Sequence, residues 1–520
     1  MKQKVFFILA LLLFGVTQGV EAQTEAQTHV SKLMTGTADA ENWTISPSSA
    51  VKGQTVTVTY TGRKKVMNVQ AEKNLSTDLS MVDCAGNERQ SQWTANCYMV
   101  HTAGKYRLPL VYGNAIKNGE ANTSAYTGTN NWRCTQTFPN HEGNAINAPW
   151  ITKSPDGQGA DRGMGISVTD AELLWQDAKG LVTEVGIKGD YLTLTVGKNA
   201  TEQEGNAVVA VRDDQGKIAW SWHIWLTKQT FAANDLTTVA TGSHTYKVAP
   251  VNVGWVGTPF GRGYSTYYQW GRKDAFLPAD IDVVDMEQPA AKPVNTGSGS
   301  SSSSGSGTPV HIVVDVTWEP FKEYKPTFSN NHIAYNINGQ EITGITTVES
   351  DPNNLNTSRS GLTQNPTKLI YNSKYGFSYD GYWNATQTAS STNVATATVK
   401  TIYDPCPPGF CVPTDNLFNY FASLGVSKLP WDEERKGRIY TVTSETAITP
   451  TMFLPAMGKR DYREGVIDAG IRGAYWSATA FVDDKSKEKA HVFFMTDNGL
   501  AYFTNLERGT GNPVRAVAEE

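Results

Sequence analysis

Ala219-Trp220-Ser221-Trp222-His223-Ile224-Trp225 is the stretch that sets the fold class. Large rings recur at every second position or close to it, which is the period of an extended strand and not that of a helix. The stretch reads as a strand with its three tryptophans in a row on one side. That row is expected to form the packing face of a β-sandwich, with an exposed sugar-stacking row as the alternative. His223 falls opposite the row and is expected at the surface or just beneath it. Neighbouring segments repeat the alternation. Gly53-Gln-Thr-Val56-Thr-Val58-Thr-Tyr60-Thr-Gly62 puts Val56, Val58 and Tyr60 on one face, and Lys64 to Val69 reads as its antiparallel partner. Gly104 to Asn114, Asp190 to Val196 and Ala207 to Val211 follow the same rule. In the last third, His311 to Thr317, a hairpin around Asn338-Gly339, Gly473 to Ala478, Ala490 to Met495 and Leu500 to Thr504 are the expected strands.

A helix is expected at only one place. Thr414 or Asp415 can cap it, Leu417, Phe418, Phe421 and Leu424 form one apolar stripe, and Gly425 ends it. Fold class is therefore mostly β with a small α+β part.

At the start of the chain, Lys2 and Lys4 precede the apolar run Val5 to Val16, and Val20-Glu21-Ala22 follows. This is the layout of a signal peptide over residues 1–22, too short to span a bilayer stably. An exported, surface-associated protein is expected, with no transmembrane span further along. The remaining chain divides into a polar lead-in with an immunoglobulin-like β segment (23–75), a β-sandwich module (76–235) and a C-terminal domain (236–520). The tract Thr296 to Thr308, all Gly, Ser and Thr, can bury nothing and reads as a flexible loop or linker.

A net charge of -5, without any basic run, makes nucleic acid and anionic membrane surfaces poor candidates as partners. Five cysteines are present, Cys84, Cys97, Cys134, Cys406 and Cys411. The Cys406/Cys411 pair is the closest candidate for a disulfide, and buried thiols without a bridge are the equal alternative. No Cys-x-x-Cys pair or histidine cluster suggests a metal site, and no motif calls for a cofactor. Nucleophile elbows, zincin motifs and phosphate loops are absent too, so no catalytic residue is assigned. Asp404 and Asp483-Asp484 read as solvated loop charges. Asp497 and Asn498 carry hard oxygens that suit calcium, although a hairpin turn explains them as well. Trp383 and Trp431 are the candidate aromatic platforms for a glycan.

Three segments rich in aromatics and glycine carry a resemblance. They are Tyr267-Tyr268-Gln269-Trp270-Gly271-Arg272, then Asp404 to Gly409 with Val412-Pro413-Thr414, and Tyr475-Trp476-Ser477-Ala478, followed by Val514-Arg515-Ala516-Val517. In order and spacing these resemble the Fibrobacter succinogenes major paralogous domain, which is similar to the C-type lectin-like fold, over about residues 251–518. Two positions depart from that pattern: Cys411 replaces an arginine and Ala516 replaces a cysteine, so a disulfide from the latter is not implied. Ala95 to Val100, Leu110 to Ile116, Gly205 to Val209 and Trp220 to Trp225 resemble the module that accompanies this domain in Bacteroidales surface proteins, several of them fimbrial accessory or tip subunits. The resemblance implies a β-sandwich stalk, a lectin-like head, and other fimbrial or surface subunits as partners, with a host protein or glycan as ligand. It does not imply calcium-dependent sugar binding, because the Glu-Pro-Asn, Gln-Pro-Asp and Trp-Asn-Asp tripeptides are missing. Two further readings stand beside it: a carbohydrate-binding protein of a glycan-uptake system, and an exported enzyme built around Cys406 and Cys411.

Overall fold

The structure is a computed structural model that describes residues 43–46, 55–60, 65–70, 76–127, 138–153, 163–242, 244–279, 328–329, 331–345, 348–349, 359–370, 381–387, 397–424, 428–443, 448–460, 465–481, 489–497 and 501–520. The expected signal peptide, the Gly/Ser tract, the His311 to Thr317 strand, Asp483-Asp484, Asn498 and Cys134 lie outside these residues.

The protein is mostly β, with few helices and several sheets. Thr55–Tyr60 and Lys65–Gln70 pair antiparallel as expected, and Trp43–Ser46 adds a third strand. The largest sheet has six strands in the order Glu341–Ile342, Ala334–Tyr335, Val168–Gln176, Gly205–Asp213, Ile218–Leu226, Cys97–Val100. Its centre is the Gly205–Asp213 strand, whose run Ala207-Val-Val-Ala-Val211 is covered on both faces, so an unbroken apolar sequence is stable there.

Strict alternation along Ile218–Leu226 corrects the expected tryptophan row. Trp220 and Trp222 share a face with Ile224, and Trp225 lies opposite, with Ser221 and His223. Both faces are buried, so neither offers a sugar platform. His223 is likewise buried rather than superficial. The face bearing Ser221, His223 and Trp225 is covered by the segment 254–276. Ser221 Oγ donates to Asp274 Oδ1 (2.8 Å), Tyr268 Oη lies 3.0 Å from His223 Nδ1, and Trp225 Nε1 donates to the Trp255 carbonyl (2.9 Å).

The module boundary expected at 235/236 is therefore not a break in the packing. The hairpin centred on Asn338-Gly339 extends the same sheet through Tyr335↔Gln176, and one buried cluster gathers residues from Leu79 to Ala516. Gly339 takes the left-handed φ of 73° that this turn needs.

Asp415–Ser423 is the expected helix. Leu417, Phe418 and Phe421 are buried against the strands Arg472–Ala480 and Lys489–Thr496, with the Phe418 and Phe493 rings stacked at 5.7 Å. Thr414 is the N-cap residue, but its hydroxyl meets Tyr246 Oη (2.8 Å) and makes no cap bond. A second, short helix, Arg359–Gln364, was not legible in the sequence. Its residues show no apolar period; it packs against Ile218–Leu226 and is tied to Arg272 through the Leu362 and Asn365 carbonyls.

The C-terminal strand Val517–Ala518 runs between Thr245–Val248 and Phe410–Cys411. Cys406 and Cys411 are free, buried thiols, the second of the two alternatives left open by the sequence. Cys406 packs in the large buried cluster and Cys411 in the helix-side one. Cys84 and Cys97 are also free and buried. Among the described residues no helix is long and apolar enough to cross a membrane.

Candidate functional site

The residues singled out in the sequence scatter. Trp383 is fully buried, with Nε1 donating to the carbonyls of Arg272 (3.2 Å) and Tyr403 (3.0 Å), so its ring is a structural post and no ligand platform. Trp431 is half-buried, packs against the helix-side cluster, and has the Arg438 guanidinium 5.9 Å from its ring. Asp497 is exposed, and its amide donates to the Ile471 carbonyl (3.2 Å). The structure does not bring these three together.

Asp404 is not a solvated charge. It is wholly buried, and its carboxylate accepts the amides of Cys406 (2.8 Å) and Val412 (2.9 Å), shaping the loop before the helix. Burial pushes its pKa up to about 6, against the pull of Lys400 and those amides. Lys400 Nζ in turn donates to the carbonyls of Cys406 and Pro407.

A buried hydrogen-bond chain joins the central sheet to the Tyr267 to Arg272 segment. Asp177 accepts the Asn206 amide N–H (2.7 Å) and Nδ2 (2.8 Å), and Asn206 Nδ2 also donates to the Gly254 carbonyl (3.1 Å). Both Nδ2 hydrogens are thereby used, so Oδ1 is the atom facing His223 Nε2 at 2.9 Å. An amide oxygen only accepts; Nε2 therefore carries the proton, Nδ1 is the acceptor, and Tyr268 Oη donates to it. Histidine is held neutral, and burial pushes its pKa down to about 3.

Because the folded value lies below the usual 6.5, His223 contributes stability that is complete above pH 6.5 and lost as the pH falls toward 3. Asp177, raised by burial to about 6, acts in the opposite sense: its contribution is present at low pH and lost as the pH rises through 6. A comparison with His223→Gln isolates the first effect, since Asp177 is common to both proteins. Between pH 7 and pH 4 the native protein is expected to lose about 3 kcal/mol more than the variant. Urea unfolding at both pH values measures this, and parallel losses would mean that the ring is not held neutral by burial.

One trio of possible metal ligands occurs among the described residues, where none was expected. Ligand-type atoms of His141, Glu142 and Asp213 lie within 4.8 Å of one another. His141 Nε2 meets Asp213 Oδ2 at 2.9 Å, and Asp213 Oδ1 accepts the amides of Gln215 and Lys217. These bonds already tie the 138–146 loop to the turn after Gly205–Asp213, and Glu142 stays in solvent.

The accessible chemistry lies where two hairpins meet. Strands Val256–Gly257 and Gly263–Tyr264 carry Thr258 to Arg262 at their tip, and Trp431–Asp432 turns into Gly437–Thr443 through Glu433 to Lys436. Between them Phe260, Gly261, Arg262, Glu434 and Arg435 line an open groove of about 510 Å³. Arg262 Nε donates to the Glu434 carbonyl (2.8 Å), which ties one tip to the other. Arg435 is set by Asp432, which accepts its amide (2.8 Å) and its Nη1 (2.5 Å). Lys436 holds a left-handed φ of 56°, closing the turn. Phe260 is 39% exposed, whereas Trp220, Trp222, Trp383 and Trp476 are buried.

Comparison of the chain with protein-family models, curated proteins and solved structures finds no match. The groove itself is what carries the functional reading. It brings Phe260, two arginines and Glu434 to one opening, residue types suited to holding a partner in a fixed orientation. Sequence reading missed all five lining residues. The available signal was Gly257-Thr-Pro-Phe260-Gly-Arg-Gly263, a glycine- and proline-rich turn with an aromatic at its tip, where no apolar neighbour exists to bury the ring.

Proposed function

We propose that the protein is a non-catalytic cell-surface binding protein, an exported fimbrial accessory or tip-type subunit that acts in assembly and adhesion. The single observation that carries this reading is the exposed Phe260 ring, which lines one groove with Arg262 and Arg435 on two hairpins tied to each other. Exposed rings beside arginines are the usual anchors of recognition surfaces, and a preformed groove spares the entropy of ordering loops. In this reading the C-terminal region is a lectin-like head packed directly on the sheets of residues 76–235, whose largest sheet it extends with Ala334–Tyr335 and Glu341–Ile342. The resemblance in the Tyr267 to Arg272, Asp404 to Thr414 and Tyr475 to Ala478 segments supports that arrangement.

The test has two parts. Antibodies against the protein should label whole cells, and surface polymers should co-purify with it; a protein found only in the periplasm would sink the proposal. The double variant Phe260→Ala, Arg262→Ala should keep the native unfolding midpoint and weaken adhesion about 10–100-fold. Adhesion that survives unchanged would remove the groove from the proposal. The same ring supports the glycan-uptake reading, since a phenyl face stacks on a pyranose. Binding on a glycan array that Phe260→Ala abolishes, in a protein absent from surface polymers, would select that reading instead.

A further inference from the structure

The turn after Tyr268–Gln269 carries three charged side chains, and it is buried. Arg272, Lys273 and Asp274 are 2%, 2% and 5% exposed. Asp274 is shared: its Oδ2 lies 3.1 Å from Arg272 Nη2 and its Oδ1 lies 2.6 Å from Lys273 Nζ. Among the described residues it is the carboxylate that both cations are paired with. Two buried cations thus face one buried anion. The rings of Trp220 (4.5 Å from Lys273 Nζ) and Phe276 (5.1 Å from Arg272 Cζ) offset the excess only in part.

Hydrogen bonding is nearly saturated around these charges. Lys273 Nζ donates to the Ser221 carbonyl, Ser221 Oγ and Asp274. Arg272 Nη1 and Nη2 donate to Gln269 Oε1, Asp274 and the carbonyls of Lys368, Leu362 and Asn365. Arg272 Nε–H is buried with no protein acceptor. A small cavity of about 10 Å³ adjoins the turn, lined by Gly271 to Asp274, Leu362, Thr363, Tyr382 and Tyr403. That is room for about one water-sized species.

We propose that this cavity binds a single halide ion, chloride under ordinary conditions, that neutralises the surplus buried charge beside Arg272 and Lys273. A water in this space leaves the charge uncompensated in a low-dielectric interior, where that is costly. A halide in the same space compensates it. The site is independent of the groove and would stand if the adhesive reading fell.

Thermal unfolding of the full chain in sodium chloride, sodium bromide and sodium gluconate at equal ionic strength tests the proposal. Chloride and bromide should raise the midpoint by several degrees over gluconate, saturably, as binding to the folded state requires. In Lys273→Met the remaining Arg272–Asp274 pair is balanced, and the three salts should give one midpoint. Should that variant fail to fold, bromide-soaked crystals of the native protein decide, through an anomalous peak in the cavity. Coincident native curves in all three salts, or a soaked crystal with no such peak, would overturn the proposal.

Discussion

Asp274→Asn is expected to destabilise the protein by about 3–5 kcal/mol, among the largest single effects available in this chain. The substitution keeps shape and volume and removes only the charge that Arg272 and Lys273 share. Two cations then remain in the core without a carboxylate partner, each near an aromatic ring and almost wholly buried. Urea unfolding measures the loss. Adding Lys273→Met to Asp274→Asn should recover part of it, because one uncompensated cation is removed and a methionine fills much of the lysine stem's volume. A loss under about 1 kcal/mol is the figure for an exposed pair and would mean that these cations reach solvent after all.

Arg515→Met should cost a similar amount, about 3–5 kcal/mol, by a different route. The guanidinium spends four hydrogen bonds on groups far away in sequence: Nε on Asn252 Oδ1 (2.9 Å), Nη1 on the carbonyls of Ala249 (3.1 Å) and Pro250 (2.7 Å), and Nη2 on the Phe453 carbonyl (2.7 Å). Methionine fills the space and strands these buried acceptors. Arg515 also stands two residues before Val517, which pairs with both Val248 and Cys411. Hydrogen exchange should therefore quicken first at the Val517 amide in the variant. Arg515→Lys keeps the charge but has no planar fork, so it should recover only part of the stability. Full recovery by lysine would assign the role to charge alone.

The elements that were legible are those whose signal is local. Val56, Val58 and Tyr60 against their threonines, the Ala207 to Val211 run, Asn338-Gly339 and the Leu417, Phe418, Phe421 stripe each state their structure within a few residues. The elements that were not legible depend on distant partners. His223 looks isolated on its strand, yet its two ring nitrogens are committed to Asn206 and, 45 positions on, Tyr268. Asp404 and Arg272-Lys273-Asp274 look like loop charges because charged residues near glycine and proline usually are. Here backbone amides, Ser221 and the Arg359–Gln364 helix close over them. The trio of His141, Glu142 and Asp213 spans 72 residues in sequence and leaves no spacing motif.

Phe260 shows the limit from the other side. A phenylalanine in sequence is a core residue by default, and only the meeting of the Thr258 to Arg262 tip with the Glu433 to Lys436 turn leaves this ring in a groove.

By itself the sequence determined the strand-dominated class, the place of the main helix and the turns, because alternation, stripe and glycine φ act between near neighbours. Tertiary structure alone decided that residues on both sides of 235 share one sheet, that Cys406 and Cys411 face different clusters, and which charged groups are dry. Burial and electrostatic environment are sums over everything that packs nearby, and no window along the chain contains those terms.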